Sequence, residues 1–196
     1  HGLYFHTNKK ATSADNNNDG FRDSPTGKQL NILNRLQYTN LEKGLVGFFD
    51  FNYVFDERVY GENEYIDGII FTENQNYWGG KTDSEILKTN FKFGYVDPLI
   101  TYRSLGLQFA YTGIDMGSSF GYRNHDTKQT SIYSNLVYNS IIGDTRSKIK
   151  TGISLTYDEY DEFIFNNNLS LNNFDISRTE RSIGAYFEYN YDDLDK

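Results

Sequence analysis

The run Asp15 to Pro25, "DNNNDGFRDSP", places Asp15, Asn17, Asp19, Gly20, Phe21 and Asp23 at positions 1, 3, 5, 6, 7 and 9 of an EF-hand-type loop. Hard Ca²⁺ takes about six to eight oxygen ligands, and this spacing offers them: side-chain oxygens at alternate positions, a glycine for the sharp turn, and the Phe21 carbonyl. Thr26 stands where the twelfth position would carry a bidentate glutamate, so the loop alone is an incomplete cage. A solvated turn rich in Asp and Asn, with no metal, is the other reading of the same residues, because both are common turn formers.

Other residues that could do chemistry are sparse. "YDEYDEF" at Tyr157 to Phe163 gathers Asp158, Glu159, Asp161 and Glu162. Paired carboxylates suit acid/base work or a second cation, but no nucleophile or base partner accompanies them, and a solvated acidic rim is the favoured reading. His1, His6 and His125 are too scattered to form a metal constellation. No nucleophile-elbow, metalloprotease or phosphate-binding motif occurs, so the chain is not expected to be an enzyme. "NQNYWGGK" holds the only tryptophan. Tyr77 and Trp78 are the expected ligand contacts, since aromatics presented on a loop are natural anchors for a partner; packing of the loop on itself is the alternative.

The elements that must carry these residues are strands. Leu45, Phe49, Phe51, Tyr53 and Phe55 share one parity, and Val46, Phe48, Asp50, Asn52 and Asp56 the other. The same period of two runs through Leu30 to Tyr38, Phe91 to Tyr95, Leu105 to Tyr111, Ile149 to Tyr157 and Ile183 to Tyr191, with weaker strands near Gly2 to Lys10 and Thr130 to Asn139. That makes an all-β chain of about eight antiparallel strands. Short turns at 40–44, 97–104 and 142–148 alternate with longer polar connections at 12–27, 61–84 and 165–181 and a shorter one at 122–128, the arrangement of transmembrane β-barrels. A soluble β-sandwich also alternates, but here the polar face is rich in Gly, Asn, Gln and Thr, and the apolar face ends in Tyr or Phe near strand termini.

Hairpin geometry offers a second source of calcium ligands. A turn centred near Glu42 sets Gln29 opposite Phe55 and Asp23 opposite Gly61, which would bring Glu62, Glu64 and Asp67 beside the acidic loop. The expected site is a cross-loop calcium clamp of Asp15, Asn17, Asp19, Phe21, Asp23, Glu62 and Glu64.

Composition limits the partners. Lys and Arg number 19 against 27 Asp and Glu, a net charge of −8 with no basic patch, which argues against nucleic acid. There are 0 cysteines, so disulfides and thiolate sites are excluded. No apolar run reaches the roughly 18 residues of a membrane helix and no signal peptide is evident. The chain starts at His1 without an initiator Met, so a processed chain or a piece of something larger is expected.

The blocks "DNNNDGFRDSPTGKQLNILNRLQY", "GFFDFNYVFDERVYGENEY", "SLGLQFAYTGIDMGSSFGYRNHDTKQTSIYSNLVYNSIIGDTRSKIKTGISLTYDEYDEF" and "RTERSIGAYFEYNY" together resemble the middle of the barrel of a TonB-dependent outer-membrane receptor of the Bacteroidota type, over essentially the whole chain. Such receptors have about twenty-two strands around an N-terminal plug. The resemblance therefore implies residues 1–196 as one barrel segment, without plug, TonB box or terminal aromatic insertion signal. It implies the outer membrane of a Gram-negative bacterium, contact with the lipid bilayer, coupling to TonB through the missing plug, and active uptake of a scarce small-molecule nutrient. A surface lipoprotein cap is a further partner that the family allows. The loop-plus-strand pattern is most similar to the cobalamin receptors, whose loops also carry an Asp/Asn-Asp-Gly calcium motif, with ferric-siderophore receptors close behind. The rival architecture is a small closed eight-strand barrel serving as anchor or adhesin.

Overall fold

A computed structural model of the chain describes residues 1–65, 77–167 and 170–193. These form eight antiparallel strands in a single open sheet: β1 (Gly2–Lys10), β2 (Thr26–Asn40), β3 (Leu45–Gly61), β4 (Gly79–Val96), β5 (Ser104–Phe120), β6 (Arg123–Ile142), β7 (Asp144–Asn166) and β8 (Phe174–Tyr191). Each strand pairs only with its sequence neighbours, and β1 and β8 are the edges. A closed eight-strand barrel would need a ladder between those two strands, so the small-barrel alternative is not the architecture of this sheet.

Several ladders run farther than the apolar alternation. The connection expected at 122–128 shrinks to Gly121 and Tyr122, and β6, expected as a weak strand from Thr130 to Asn139, is 20 residues long. β4 begins at Gly79 and β8 at Phe174, well inside connections expected to reach residues 84 and 181. The physical reason is that ladder bonds are made by the backbone. Pairing therefore continues where both faces have become polar and the side-chain pattern no longer marks a strand.

The β2–β3 register is also one residue from the expected one. Gln29 lies opposite Asp56, and Leu30 opposite Phe55. The turn 41–44, with Gly44 at φ +65°, centres half a residue later than Glu42, and this shifts every partner by one.

Directly opposed residues lie on the same face, so the registers assign each side chain to one of two faces. Leu3 and Phe5 on β1 join a continuous apolar face that carries Leu36, Phe49, Phe91 and Phe109 in one cross-strand row, followed on the other side by Ser134, Leu155 and Ile183. Among the described residues no hydrophobic side chain is buried; Phe91 is 40% exposed, Phe109 39% and Ile183 78%. The opposite face is polar, with Arg35, Asp50, Asn90 and Ala110 in one row and Asn52, Lys88, Thr112, Ser131 and Asp158 in the next.

The apolar band slopes across the ladders. With β5 as a ruler, its upper limit lies level with Asp115 at Leu30 and Phe55, level with Gly113 at Leu87, level with Tyr111 at Ile132 and Tyr157, and level with Phe109 at Ile183. That is a fall from 115 to 109, six residues over the six steps from β2 to β8. The lower limit descends likewise, from Tyr38, level with Leu107, to Tyr189 and Tyr191, which lie beyond the level of Leu105. In β2, β4, β7 and β8 the band runs Leu30–Tyr38, Leu87–Tyr95, Ile149–Tyr157 and Ile183–Tyr191, nine positions each time.

Candidate functional site

The connections alternate between two rims. Residues 41–44, 97–103 and Gly143 join strands at one end; residues 11–25, 62–78, 121–122 and 167–173 join them at the other. At the short rim the Asp97 carboxylate accepts the backbone N–H of Leu99 at 2.9 Å, and those bonds, with Arg103 alongside, hold its pKa below the ordinary carboxylate value. The candidate site lies at the long rim, above β2 and β3.

The acidic loop folds around its own carboxylates. Asp15 accepts N–H groups from Asp19 (3.1 Å) and Gly20 (2.9 Å), Asn17 Oδ1 accepts from Asp19 N at 3.3 Å, and Asp19 Oδ1 accepts from Phe21 N at 2.9 Å. Asn18 and Gly20 sit at φ +58° and +86°, the left-handed conformations that such a turn requires. Asp23 turns away to accept both the backbone N–H (2.9 Å) and the side-chain amide (2.6 Å) of Asn16.

The loop is docked on the 62–78 connection through its backbone. Phe21 forms an antiparallel bridge with Glu62, with Arg22 N donating to Gly61 O at 3.0 Å and Asn63 N to Gly20 O at 2.8 Å. The Arg22 guanidinium donates to the carbonyls of Asn63 (3.1 Å), Tyr65 (2.9 Å) and Tyr60 (3.4 Å). Asn63 Nδ2 donates to Asp15 Oδ2 at 3.0 Å, while Asn63 Oδ1 is buried with no hydrogen-bond partner among the described residues.

The two loops therefore do meet, as the hairpin argument expected: Phe21 and Glu62 form the bridge and Asp15 accepts from Asn63, while Arg22, Gly61 and Asn63 supply the remaining contacts. Glu62 Oε1 accepts Trp78 N–H at 2.9 Å, and Glu64 accepts the Tyr77 hydroxyl; both carboxylates serve their own connection and not the acidic loop. The hydrogen bond to Glu64 raises the Tyr77 pKa above its ordinary value, because ionising the phenol would destroy the donor and set two anions together. Among the described residues no group of three or more His, Asp or Glu is arranged to hold a metal ion. Asp67 lies outside the described residues.

Phe21 joins Trp78, their ring centroids 6.4 Å apart, so the acidic loop contributes to the aromatic surface expected of Tyr77 and Trp78. Those three side chains are 42%, 44% and 51% exposed. Gly61 makes the approach possible. It sits at φ +101°, and a Cβ there would lie 2.4 Å from both Trp78 O and Gly79 Cα. Arg22, Asn63 and Gly61 were invisible to motif reading; the one sequence signal was an arginine embedded in an otherwise acidic and amide loop.

The acidic run 157–163 divides between the faces by strand alternation. Asp158 meets Ser131 at 2.5 Å, Glu159 accepts the Tyr157 hydroxyl at 2.7 Å, and Glu162 lies 3.7 Å from His125, so its carboxylates do not pair with one another. His1 lies against Asn34 at 3.0 Å, far from His125. Comparison with known proteins found no matching family model, no matching curated protein and no matching solved structure. The class that the fold defines is thus a single open, up-and-down sheet of eight antiparallel strands.

Proposed function

We propose that this sheet is part of the wall of a transmembrane β-barrel in an outer membrane, within a TonB-dependent receptor that takes up a scarce nutrient such as cobalamin or a ferric siderophore. The observation that carries the membrane reading is the sloping apolar band. One residue of offset per strand, at about 3.4 Å rise and about 4.8 Å between strands, corresponds to a strand tilt of about 35°. Membrane barrels tilt by about 35–45°, and their strands span with about 9–11 residues. Eight steps of rise between the ends of a nine-position band make about 27 Å, or about 22 Å along the normal after tilting, close to the roughly 25 Å apolar belt of such barrels. Tyrosines at the band's limits or one alternation inside them, Tyr38, Tyr95, Tyr138, Tyr189 and Tyr191 below and Tyr53, Tyr111 and Tyr157 above, suit the interfacial girdles.

The test is cysteine scanning along β5 of the intact protein in outer-membrane vesicles. Single cysteines at Leu107 and Phe109 should resist a membrane-impermeant maleimide, while those beyond the band at Asp115 and Gly117 should react. Equal reaction at all four positions would rule out a lipid-facing band.

At the long rim, Phe21, Tyr77 and Trp78 are proposed to contact the nutrient, and the loop 15–23 to hold a structural Ca²⁺. Asp15, Asn17, Asp19 and the Phe21 carbonyl supply hard oxygens, and the unpartnered Asn63 Oδ1 is a better candidate for the neighbouring loop's contribution than Glu62 or Glu64. Bound calcium would neutralise the loop's carboxylates and fix the turn they already form. Calorimetric titration of Ca²⁺ into the intact protein should show binding that Asp15→Ala or Asp19→Ala abolishes and Asn63→Ala weakens, with Glu62→Gln nearly silent. Heat unchanged by Asp15→Ala would remove the ion from this loop.

A further inference from the structure

The margin of the apolar band nearest the long rim is not uniformly charged. Over β4 to β7 it is topped by Glu85, Asp115, Glu159 and Asp161, with Asp83 and Asp126 one alternation higher. Lys128 is the one cation among them and is paired with Asp115 at 3.2 Å. Over β1 to β3 the margin reverses sign. The band ends at Leu30 and Phe55, and the next row on the same face reads Lys9, Lys28, Glu57.

Lys9 and Lys28 are direct cross-strand partners. Like charges directly opposite one another cost stability, and nothing among the described residues offsets the arrangement in full. Glu57 is shared: Lys28 Nζ lies 3.4 Å and Lys81 Nζ 3.8 Å from the same carboxylate oxygen. The Lys28 ammonium also lies over the Phe55 ring, 5.3 Å from its centroid, and so stands at the top of the apolar band. Lys9 is exposed and makes no ion pair with a described residue.

We propose that Lys9 and Lys28 form a binding site for the phosphate of a phosphorylated membrane lipid, whose acyl chains lie on Phe5, Leu30 and Phe55. This inference rests on the membrane reading of the band. Given that reading, a lipid lying along the apolar face brings its headgroup to the height of these two ammoniums, and a phosphate between them relieves their mutual repulsion. The acidic margin over β4 to β7 repels the same headgroup, so the lipid is confined to one sector of the sheet.

The test uses the intact protein, delipidated in detergent and titrated with a short-chain phosphatidic acid, with phosphatidylcholine and inorganic phosphate as parallel probes; bound lipid is counted by native mass spectrometry. Phosphatidic acid should bind preferentially, and Lys9→Gln and Lys28→Gln should each weaken it by about fivefold, the effect of removing one cation near an anionic headgroup. Lys128→Gln should leave binding unchanged. No preference over phosphatidylcholine, an equal loss in Lys128→Gln, or equal binding of inorganic phosphate would each overturn the site. Heat-modifiable migration of every variant is read alongside. If the protein is a folded barrel and the preference is absent, the lipid site alone has failed; if it never behaves as a membrane barrel, the underlying reading has failed.

Discussion

At the scale of single residues, the rim site depends on groups that touch backbone. Gly61→Ala forces a side chain into a left-handed conformation and against Trp78 O. Such backbone strain is worth about 1–3 kcal/mol, so the acidic loop should undock locally while the ladders persist. Limited proteolysis should then cut within residues 12–25 faster than in the parent. Arg22→Ala removes three carbonyl contacts and should have a similar local effect, of about 1.5–3 kcal/mol before any allowance for solvent screening. Tyr77 gives a pH signature. Its raised pKa means that the contact with Glu64 contributes fully below the ordinary phenol value of about 10 and is lost as pH rises through the higher folded value. The chain has 1 tryptophan, adjacent to Tyr77, so its emission should change over that alkaline range in the parent and not in Tyr77→Phe.

At the scale of elements, alternation distinguishes neighbours that differ by one position. On the proposed reading Phe109 faces lipid and Gln108 does not. Phe109→Lys should destabilise the folded barrel by about 2–4 kcal/mol, whereas Gln108→Lys, which would stand opposite Lys92, should cost no more than about 1 kcal/mol; urea titration of the intact protein in vesicles compares them. Alternation was also the legible part of the fold. Leu105, Leu107, Phe109 and Tyr111 announce β5 without any structure, and the same signal located all eight strands. It failed at strand ends, as in 123–129, where polar residues occupy both faces and only the backbone continues the ladder. The β2–β3 register was legible too: opposed residues share a face, so setting polar Gln29 opposite Phe55 conflicts with the parities of Leu30 and Phe55, and only the one-residue shift that pairs those two keeps the apolar face intact. The docking of the two rim loops was half legible. The meeting of 15–23 with 62–64 followed from the hairpin, but which atoms meet depends on Gly61 and Arg22, whose roles arise only once two distant backbones are side by side.

At the scale of the whole molecule, the sheet lacks what a soluble domain of this length would have. Among the described residues it has no hydrophobic core, and it leaves two edge strands unpaired. On the proposed reading, lipid covers the apolar face and further strands cover the edges, since unpaired backbone groups are not tolerated against hydrocarbon.

The strictly nearest-neighbour pairing carries a consequence for how such a wall changes over evolutionary time. Because every ladder joins strands adjacent in sequence, an extra hairpin inserted at a rim must match only the two strands that flank it. Circumference can therefore grow or shrink by hairpin duplication or loss while all remaining ladders are kept, provided that the newcomer repeats the one-residue step per strand. Ancestry in such a chain would be sought as faint self-similarity between successive hairpins, in phase with that step.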